Sequence, residues 1–268
     1  MPKTSPAVAD LAGVWRRSLL ADDKGSRDTT STVTWVQGPT RYADLRQRID
    51  RPRPRAAESL EDLSFEQLLG LAEQEAFAGQ LRHVDGAFHW EHAIDFGPAS
   101  SPDAGTLSRH GSTLVEEGVH SPYVEHWHPV AEAGPPYAAV ELIHPPSGCR
   151  ALLVRAGSWF GYARGRREPL PPGGSLAELI AGAAHPGRAR ELLDCEISMG
   201  CIADDHWIIE RSTLPHREGR SLAPELAGSS RLLTCDTGPG GAPYVRRWEI
   251  SEAEGALHTL APAPGSAA

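Results

Sequence analysis

The sequence predicts an all-β fold made of two repeated β-barrel domains, with one short helix in each. Many short segments rich in β-branched and aromatic residues alternate with turns that contain Gly or Pro, a pattern typical of all-β barrels and sandwiches. The chain has 268 residues, which is enough for two ordinary domains with separate cores. Capping-box patterns at Ser64 to Gln67 and at Ser175 to Glu178 each predict the start of a helix.

Three aromatic patterns recur in the same order at nearly one offset, which indicates an internal duplication. The longest pair is Pro122-Tyr123-Val124-Glu125-His126-Trp127-His128 and Pro243-Tyr244-Val245-Arg246-Arg247-Trp248-Glu249, 121 residues apart. His89-Trp90 recurs as His206-Trp207 and Tyr42 recurs as Tyr162, at offsets of 117 and 120 residues. We therefore predict a first barrel over residues 1–132, a second barrel over residues 137–256 and a disordered tail over residues 257–268.

Strands are predicted along both units from β-branched and aromatic content, period-two alternation and the turns that separate them. In the first unit the first strand starts at Gly13-x-Trp15, and the others cover residues 32–37, 41–46, 78–84, 88–95, 105–107, 112–117 and 122–128. In the second unit they cover residues 138–143, 150–156, 159–164, 196–203, 206–211, 231–235 and 244–250. The second helix follows Ser175, and Pro186-Gly187 is expected to interrupt it.

The start of the first predicted strand carries the pattern Gly13-x-Trp15. Glycine permits a close backbone approach at this point, and the large indole can close the end of a barrel. Here the sequence resembles the lipocalin or calycin superfamily, whose barrels open with a Gly-x-Trp motif at the first strand. The resemblance implies a tandem of two lipocalin-like barrels. It also implies a range of functions, because members bind small apolar ligands, haem or bilins, and some are cofactor-free enzymes.

Composition and charge exclude several classes of function. The net charge of -9 and the isoelectric point near 5.7 argue against a nucleic-acid partner, whose phosphates favour basic proteins. The sequence contains no apolar run long enough for a signal peptide or a membrane-spanning helix. We therefore expect a cytoplasmic protein whose partner is a small-molecule substrate or ligand.

Comparison of the two repeats separates framework residues from candidate site residues. The aromatic pairs Tyr42/Tyr162, Trp90/Trp207, Tyr123/Tyr244 and Trp127/Trp248 are shared and are interpreted as framework. The differing positions give the first unit carboxylates and imidazoles: Asp44 matches Arg164, His92 matches Ile209, and Glu125 matches Arg246. A functional site is expected where one copy has gained such groups.

Strand alternation assigns these side chains to faces. If the aromatic residues point into the barrel, the interior also receives five polar side chains: Tyr42, Asp44, Arg46, His92 and Glu125. We predict Glu125, His92, Tyr42 and Asp44 as catalytic residues in acid/base chemistry. Arg46, Tyr123, Trp127 and Trp90 are predicted to bind the substrate, with Arg46 able to hold a carboxylate. The alternative is a structural ion pair between Arg46 and Glu125 or Asp44.

The predicted function is therefore a cofactor-free cyclase, isomerase or lyase that acts on a small, partly aromatic or apolar substrate. The alternative is a non-catalytic carrier or sensor for a small ligand or haem. A divalent metal on His89, His126 and His128 is a rival site, but it requires Trp90 and Trp127 to point outward.

The sequence also suggests a role for the second barrel. Its loss of the polar set is consistent with a supporting or dimerisation role, which would make the protein a homodimer. Its basic residues are predicted to form a solvated face: Arg164, Arg166, Arg167, Arg188 and Arg190.

Overall fold

A computed structural model describes residues 5–51, 54, 57–98, 102–238 and 240–261, and it confirms an all-β fold with two eight-stranded sheets. The first sheet closes into a barrel in which every strand is antiparallel to its neighbours. Its strands are β1 (Gly13–Asp22), β2 (Ser31–Gln37), β3 (Arg41–Arg48), β4 (Glu75–Val84), β5 (Ala87–Asp95), β6 (Asp103–His110), β7 (Thr113–Gly118) and β8 (Tyr123–Pro129).

The second sheet follows the same plan but stays open between its two edge strands. Its order is β13-β12-β11-β10-β9-β16-β15-β14, and it wraps around a core of its own, so we call it the second barrel. The strands are β9 (Tyr137–His144), β10 (Cys149–Ala156), β11 (Trp159–Arg164), β12 (Glu196–Ala203), β13 (His206–Ser212), β14 (Glu225–Leu226), β15 (Arg231–Thr237) and β16 (Pro243–Gly255). Hydrogen bonds from the segment 219–222 to β13 partly cover the open edge.

Three short helices lie beside the sheets: α1 (Phe65–Leu71), α2 (Leu176–Ala181) and α3 (Pro186–Leu193). The predicted capping boxes are present, since Ser64 exchanges hydrogen bonds with Gln67 and Ser175 does so with Glu178. The second unit has two helices rather than one. Pro186 does not merely interrupt a helix, because it occupies the first turn of α3, where its missing N–H costs nothing.

The chain ends differently from the prediction. Residues 257–260, assigned to a disordered tail, form a 3-10 helix whose Leu260 is fully buried in the core of the second barrel. Burial of this leucine offsets the entropy of ordering the segment. Residues 262–268 of the predicted tail lie outside the described residues. Within the described part of the chain, no helix is long and apolar enough to cross a membrane.

Alternating faces of the strands build three cores. Inward residues fill each barrel, while outward residues of β2 and β3 pack against those of β10, β11 and β12. The two backbones approach closely at Gly161, where an added Cβ would lie 2.8 Å from the Cβ of Ala43. The two barrels therefore share an apolar interface formed by the faces that do not line their interiors.

A β-bulge at the same place in each barrel supports the duplication. The β4–β5 register shifts between Ala78 and Gly79, and the β12–β13 register shifts between Met199 and Gly200. A Cβ on Gly79 would lie 1.9 Å from the carbonyl oxygen of Glu91, and one on Gly200 would lie 2.1 Å from that of Ile208. Only glycine fits both bulges without a shift of the partner strand.

We expect Gly79→Ala and Gly200→Ala each to lower the free energy of unfolding by about 1–3 kcal/mol, because the new methyl group overlaps a backbone carbonyl. Urea unfolding measures this change. Gly70→Ala is the control: nothing lies within 4 Å of its added Cβ in α1, so it should raise the stability by about 0.5–1 kcal/mol. If Gly79→Ala and Gly200→Ala unfolded with the same free energy as Gly70→Ala, the steric role of the two bulge glycines would be refuted.

Candidate functional site

A cluster of tryptophan rings closes one end of the first barrel. The ring centroid of Trp35 lies 6.1 Å from that of Trp15, 5.9 Å from that of Trp90 and 5.6 Å from that of Trp127. All four side chains are buried, and the indole N–H of Trp15 donates to the carbonyl oxygen of Leu11 at 2.8 Å. The motif Gly13-x-Trp15 therefore contributes to a packed floor, which we call the tryptophan floor.

Above the tryptophan floor the barrel opens into a cavity of about 950 Å³. Four of the predicted site residues line it: Arg46, His92, Tyr123 and Glu125. The second unit completes the wall with Ser175 and Leu176, which begin α2. The cavity is of the size of small-molecule sites, and its lining mixes apolar side chains such as Leu20 and Phe77 with polar and charged ones.

Arg46, Asp44 and Tyr42 share the inner face of β3. The Nε of Arg46 donates to Oδ1 of Asp44 at 2.9 Å, and its guanidinium lies 4.9 Å from the ring centroid of Phe77. Asp44 and Tyr42 are buried more deeply and do not line the cavity. The hydroxyl of Tyr42 is buried without a hydrogen-bond partner among the described atoms. The ion pair that the sequence analysis left open is therefore Arg46 with Asp44.

Glu125 pairs with a residue that the sequence analysis did not select. Arg17 on β1 donates from Nη1 to Oε1 of Glu125 at 2.5 Å and from Nη2 to Oδ2 of Asp28 at 2.6 Å. The side chains of Arg17 and Glu125 are 6% and 3% exposed, so water screens this pair weakly. Arg17 thus fixes the orientation of Glu125 at the cavity wall.

A second buried carboxyl group faces Glu125 across the β7–β8 ladder. Glu116 accepts a hydrogen bond from the hydroxyl of Tyr123 at 2.7 Å and one from the indole N–H of Trp127 at 3.0 Å. Burial, followed by the nearby Glu125, raises the pKa of Glu116 to about 8. The environment therefore favours the protonated form of Glu116, since two such close carboxylates cannot both ionise cheaply.

His92 is held between two carboxylates. Its Nδ1 lies 2.6 Å from Oδ1 of Asp95, and its Nε2 lies 3.7 Å from Oδ2 of Asp103. The ring also stacks on Phe77, with centroids 4.1 Å apart. Burial alone would lower the pKa of His92, but Asp103 and Asp95 outweigh it and raise the pKa to about 9. His92 is therefore a cation at neutral pH.

The environment of Asp44 raises the pKa of its carboxyl group. Burial raises the pKa of Asp44 to about 6, although Arg46 opposes the rise. The cavity region thus combines a protonated carboxyl group on Glu116, an imidazolium on His92 and carboxylates near them. Groups whose pKa values are pushed apart in this way can divide into proton donors and proton acceptors.

The equivalent region of the second barrel is filled by ion pairs. Register alignment places Arg246 where the first barrel has Glu125, and Thr234 where it has Glu116. Aligned on the bulge glycines, Arg164 takes the position of Arg46 and not, as the repeats predicted, that of Asp44. Asp236 lies 2.6 Å from Nε of Arg246 and 3.7 Å from Nε of Arg164. Burial raises the pKa of Asp236, but these arginines offset it and lower the pKa to about 2.

Arg217 completes this cluster, since its Nε lies 2.9 Å from Oε1 of Glu196 and both side chains are buried. The predicted solvated basic face is therefore wrong for Arg164 and Arg166. Arg164 is buried inside the second barrel, and the guanidinium of Arg166 is taken up by three backbone carbonyls. Spacing along the chain gave no sign of these partners, which come from distant strands.

Two predicted substrate contacts lie elsewhere. Trp90 and Trp127 pack in the tryptophan floor, below the residues that line the cavity. Their place follows from size, because large aromatic rings gain most from complete burial.

The structure does not assemble the alternative metal site. Alternation places His126 and His128 on the face of β8 opposite Glu125, and Nε2 of His128 lies 2.8 Å from the hydroxyl of Ser18. Among the described residues no three His, Cys, Asp or Glu side chains come together as a metal centre would require.

His92 does not fit as an axial ligand of haem. Its Nδ1 is engaged by Asp95, its Nε2 faces Asp103, and the raised pKa keeps both nitrogens protonated. A ligating imidazole must present an unprotonated nitrogen to the iron.

Several residues of the site were missed by the sequence analysis: Arg17, Asp28, Asp95, Asp103 and Glu116. Alternation from Trp15 would have placed Arg17 inside, and alternation from Leu114 would have done so for Glu116. Asp95 follows the bulge in β5, which breaks strict alternation and hides the signal.

Comparison with known proteins supports the fold alone. No family model matches the chain, and no curated protein matches it in sequence. A solved structure that is similar to it is the crystal structure of an uncharacterized protein, YLR301w, from Saccharomyces cerevisiae. The alignment covers 90% of this chain and 98% of the yeast chain, with 14% sequence identity and a TM-score of 0.53. The paired arrangement of β-sheets is therefore similar to one that occurs in a yeast protein.

Proposed function

We propose that the first barrel is a cofactor-free acid/base enzyme for a small, partly aromatic or apolar substrate, of the cyclase, isomerase or lyase type. The observation that carries the proposal is the contrast between the equivalent interiors. The second barrel fills its polar positions with arginines paired to carboxylates. The first barrel keeps a cavity of about 950 Å³ beside titratable groups with displaced pKa values.

In the proposed reaction Glu125 accepts a proton from the substrate, because its carboxylate lines the cavity and is oriented by Arg17. His92 donates a proton to a developing negative charge, since its imidazolium also lines the cavity. Arg46 is available to hold a carboxylate or carbonyl group of the substrate, although one side of its guanidinium is already bonded to Asp44. From behind the wall Asp44 holds Arg46 by a hydrogen bond, and Tyr42 packs edge-on against Phe77, the ring on which His92 stacks.

We expect the purified protein to accelerate proton–deuterium exchange at acidic carbon atoms of small aryl ketones and keto acids, followed by proton NMR in deuterium oxide. Glu125→Gln should slow this exchange by roughly 10²–10⁴-fold, because the amide cannot accept the proton. The matched control is Glu91→Gln, an exposed carboxylate on the outer face of β5. If the Glu125→Gln variant kept both the exchange rate and the melting temperature of the wild-type protein, the assignment of Glu125 as the base would be wrong.

The raised pKa of Glu116 predicts how stability depends on pH. Its folded pKa of about 8 lies above its usual value of 4.5, so its contribution to stability is complete below pH 4.5 and is lost as pH rises through 8. Relative to Glu116→Gln, the wild-type protein should lose on the order of 4 kcal/mol of unfolding free energy between pH 4.5 and pH 8.5. Urea unfolding at the two pH values measures it, and parallel pH dependence of both proteins would refute it.

The second candidate is a non-catalytic carrier or sensor, favoured by the closed tryptophan floor beneath a cavity wide enough for a ligand. It predicts that small aryl compounds bind, with a change in tryptophan fluorescence, but that the exchange rate of their protons equals that in buffer. Homodimerisation through the second barrel stays a prediction, and a monomeric gel-filtration profile would contradict it.

A further inference from the structure

One arginine of the second barrel reaches the backbone at the rim of the first barrel's cavity. Arg166 lies just beyond β11, and its Nη1 donates to the carbonyl oxygen of Asp95 at 2.8 Å. Its Nη2 donates to the carbonyl oxygen of Phe96, and its Nε donates to that of Leu192 in α3 at 2.5 Å. The guanidinium also lies 5.5 Å from the ring centroid of Phe96.

Asp95 is the residue whose carboxylate holds Nδ1 of His92. Its backbone position therefore decides where that carboxylate lies. Two further contacts from the second unit act on the same short stretch. The thiol of Cys195 lies 3.6 Å from the carbonyl oxygen of Asp95, and Ile94 packs in the apolar interface between the barrels, near Gly165. The end of β5 is thus fixed from outside the first barrel.

We propose that Arg166 is a positioning residue that holds the Asp95–His92 pair in the geometry required at the cavity wall. The planar guanidinium can bond two consecutive carbonyl oxygens at once, which the single ammonium group of a lysine cannot do in the same geometry.

The chain offers a matched comparison. Arg190, in α3, makes the same kind of contact between the units, since its Nε and Nη2 donate to the carbonyl oxygens of Leu60 and Glu61 at 3.2 Å each. Those residues belong to a 3-10 helix of the first unit and do not line the cavity. Loss of Arg190 therefore removes a contact between the units without touching the segment that carries Asp95.

The inference deepens the proposed function, because it concerns the proposed proton donor, but its test needs no substrate. The full-length protein is labelled at its histidine rings, and the ring resonances are titrated by NMR, with His92→Gln identifying the signal of His92. Asp95→Asn sets the scale: loss of the carboxylate should lower the pKa of His92 by about one unit or more. Asp103, across on β6, remains as the other charged neighbour in every variant.

We expect Arg166→Lys and Arg166→Gln each to lower the pKa of His92 by roughly half of the Asp95→Asn effect or more, because the carboxylate drifts from the ring. Arg190→Gln should leave it unchanged. A purely electrostatic influence of Arg166 would give a different pattern, with no change in the lysine variant and a rise in the glutamine variant. That pattern would overturn the proposal, as would an equal shift in Arg190→Gln.

Failure of both Arg166 variants to fold where Arg190→Gln folds would also count against the proposal, since Arg166 would then hold the fold itself. The outcome is separable from that of the exchange assay. A fall in the pKa of His92 in the Arg166 variants supports the positioning role even if no ketone is turned over. Exchange lost in Glu125→Gln supports the acid/base function even if Arg166 proves irrelevant.

Discussion

The packing of four indole rings at one end of the first barrel is the constraint on which the rest of the site depends. Trp35 contacts Trp15, Trp90 and Trp127, and the four rings fill most of that half of the barrel. Charged residues on the same strand faces must therefore gather in the other half, where the strands open toward solvent. Burial next to this apolar floor also strips water from the carboxyl groups of Glu116 and Asp44, and this desolvation raises their pKa values.

The two barrels solve the problem of buried charge in different ways. Inside the second barrel, arginines neutralise carboxylates at short range, and such a cluster contributes to closing the interior. Inside the first barrel, substitution at equivalent positions leaves an excess of carboxyl groups, and protons take the place of some of the missing cations. Glu116 and His92 both hold protons beyond their usual pH range. The first barrel therefore has titratable groups that favour their protonated forms, whereas the interior of the second barrel is filled by arginine–carboxylate ion pairs.

The sequence was informative wherever a side-chain period or a repeat was regular. The two capping boxes and the shared strand face of Tyr42, Asp44 and Arg46 followed from local pattern alone. It failed where the decisive partner lies far along the chain. Arg17 meets Glu125 across 108 residues, and Arg166 meets Asp95 across 71, so no local pattern could pair them. The ordered segment that ends at Leu260 was missed because the Ala- and Pro-rich composition of the tail to which it belongs resembles that of a linker. Its order comes from the packing of Leu260 in the core of the second barrel, which the local sequence does not reveal.

The bulge at Gly79 has a consequence for how such a protein can change. On β5, His92 faces the cavity before the bulge, whereas Ile94, only two residues later, faces the other barrel. A single strand thus serves two compartments, and its inward positions can be exchanged without disturbing the surface that joins the copies. His92 in one copy and Ile209 in the other show this freedom within one chain. After a gene duplication both copies keep the same β-sheet framework and the same interface. Mutation of a few inward side chains is then enough to make the two interiors chemically different.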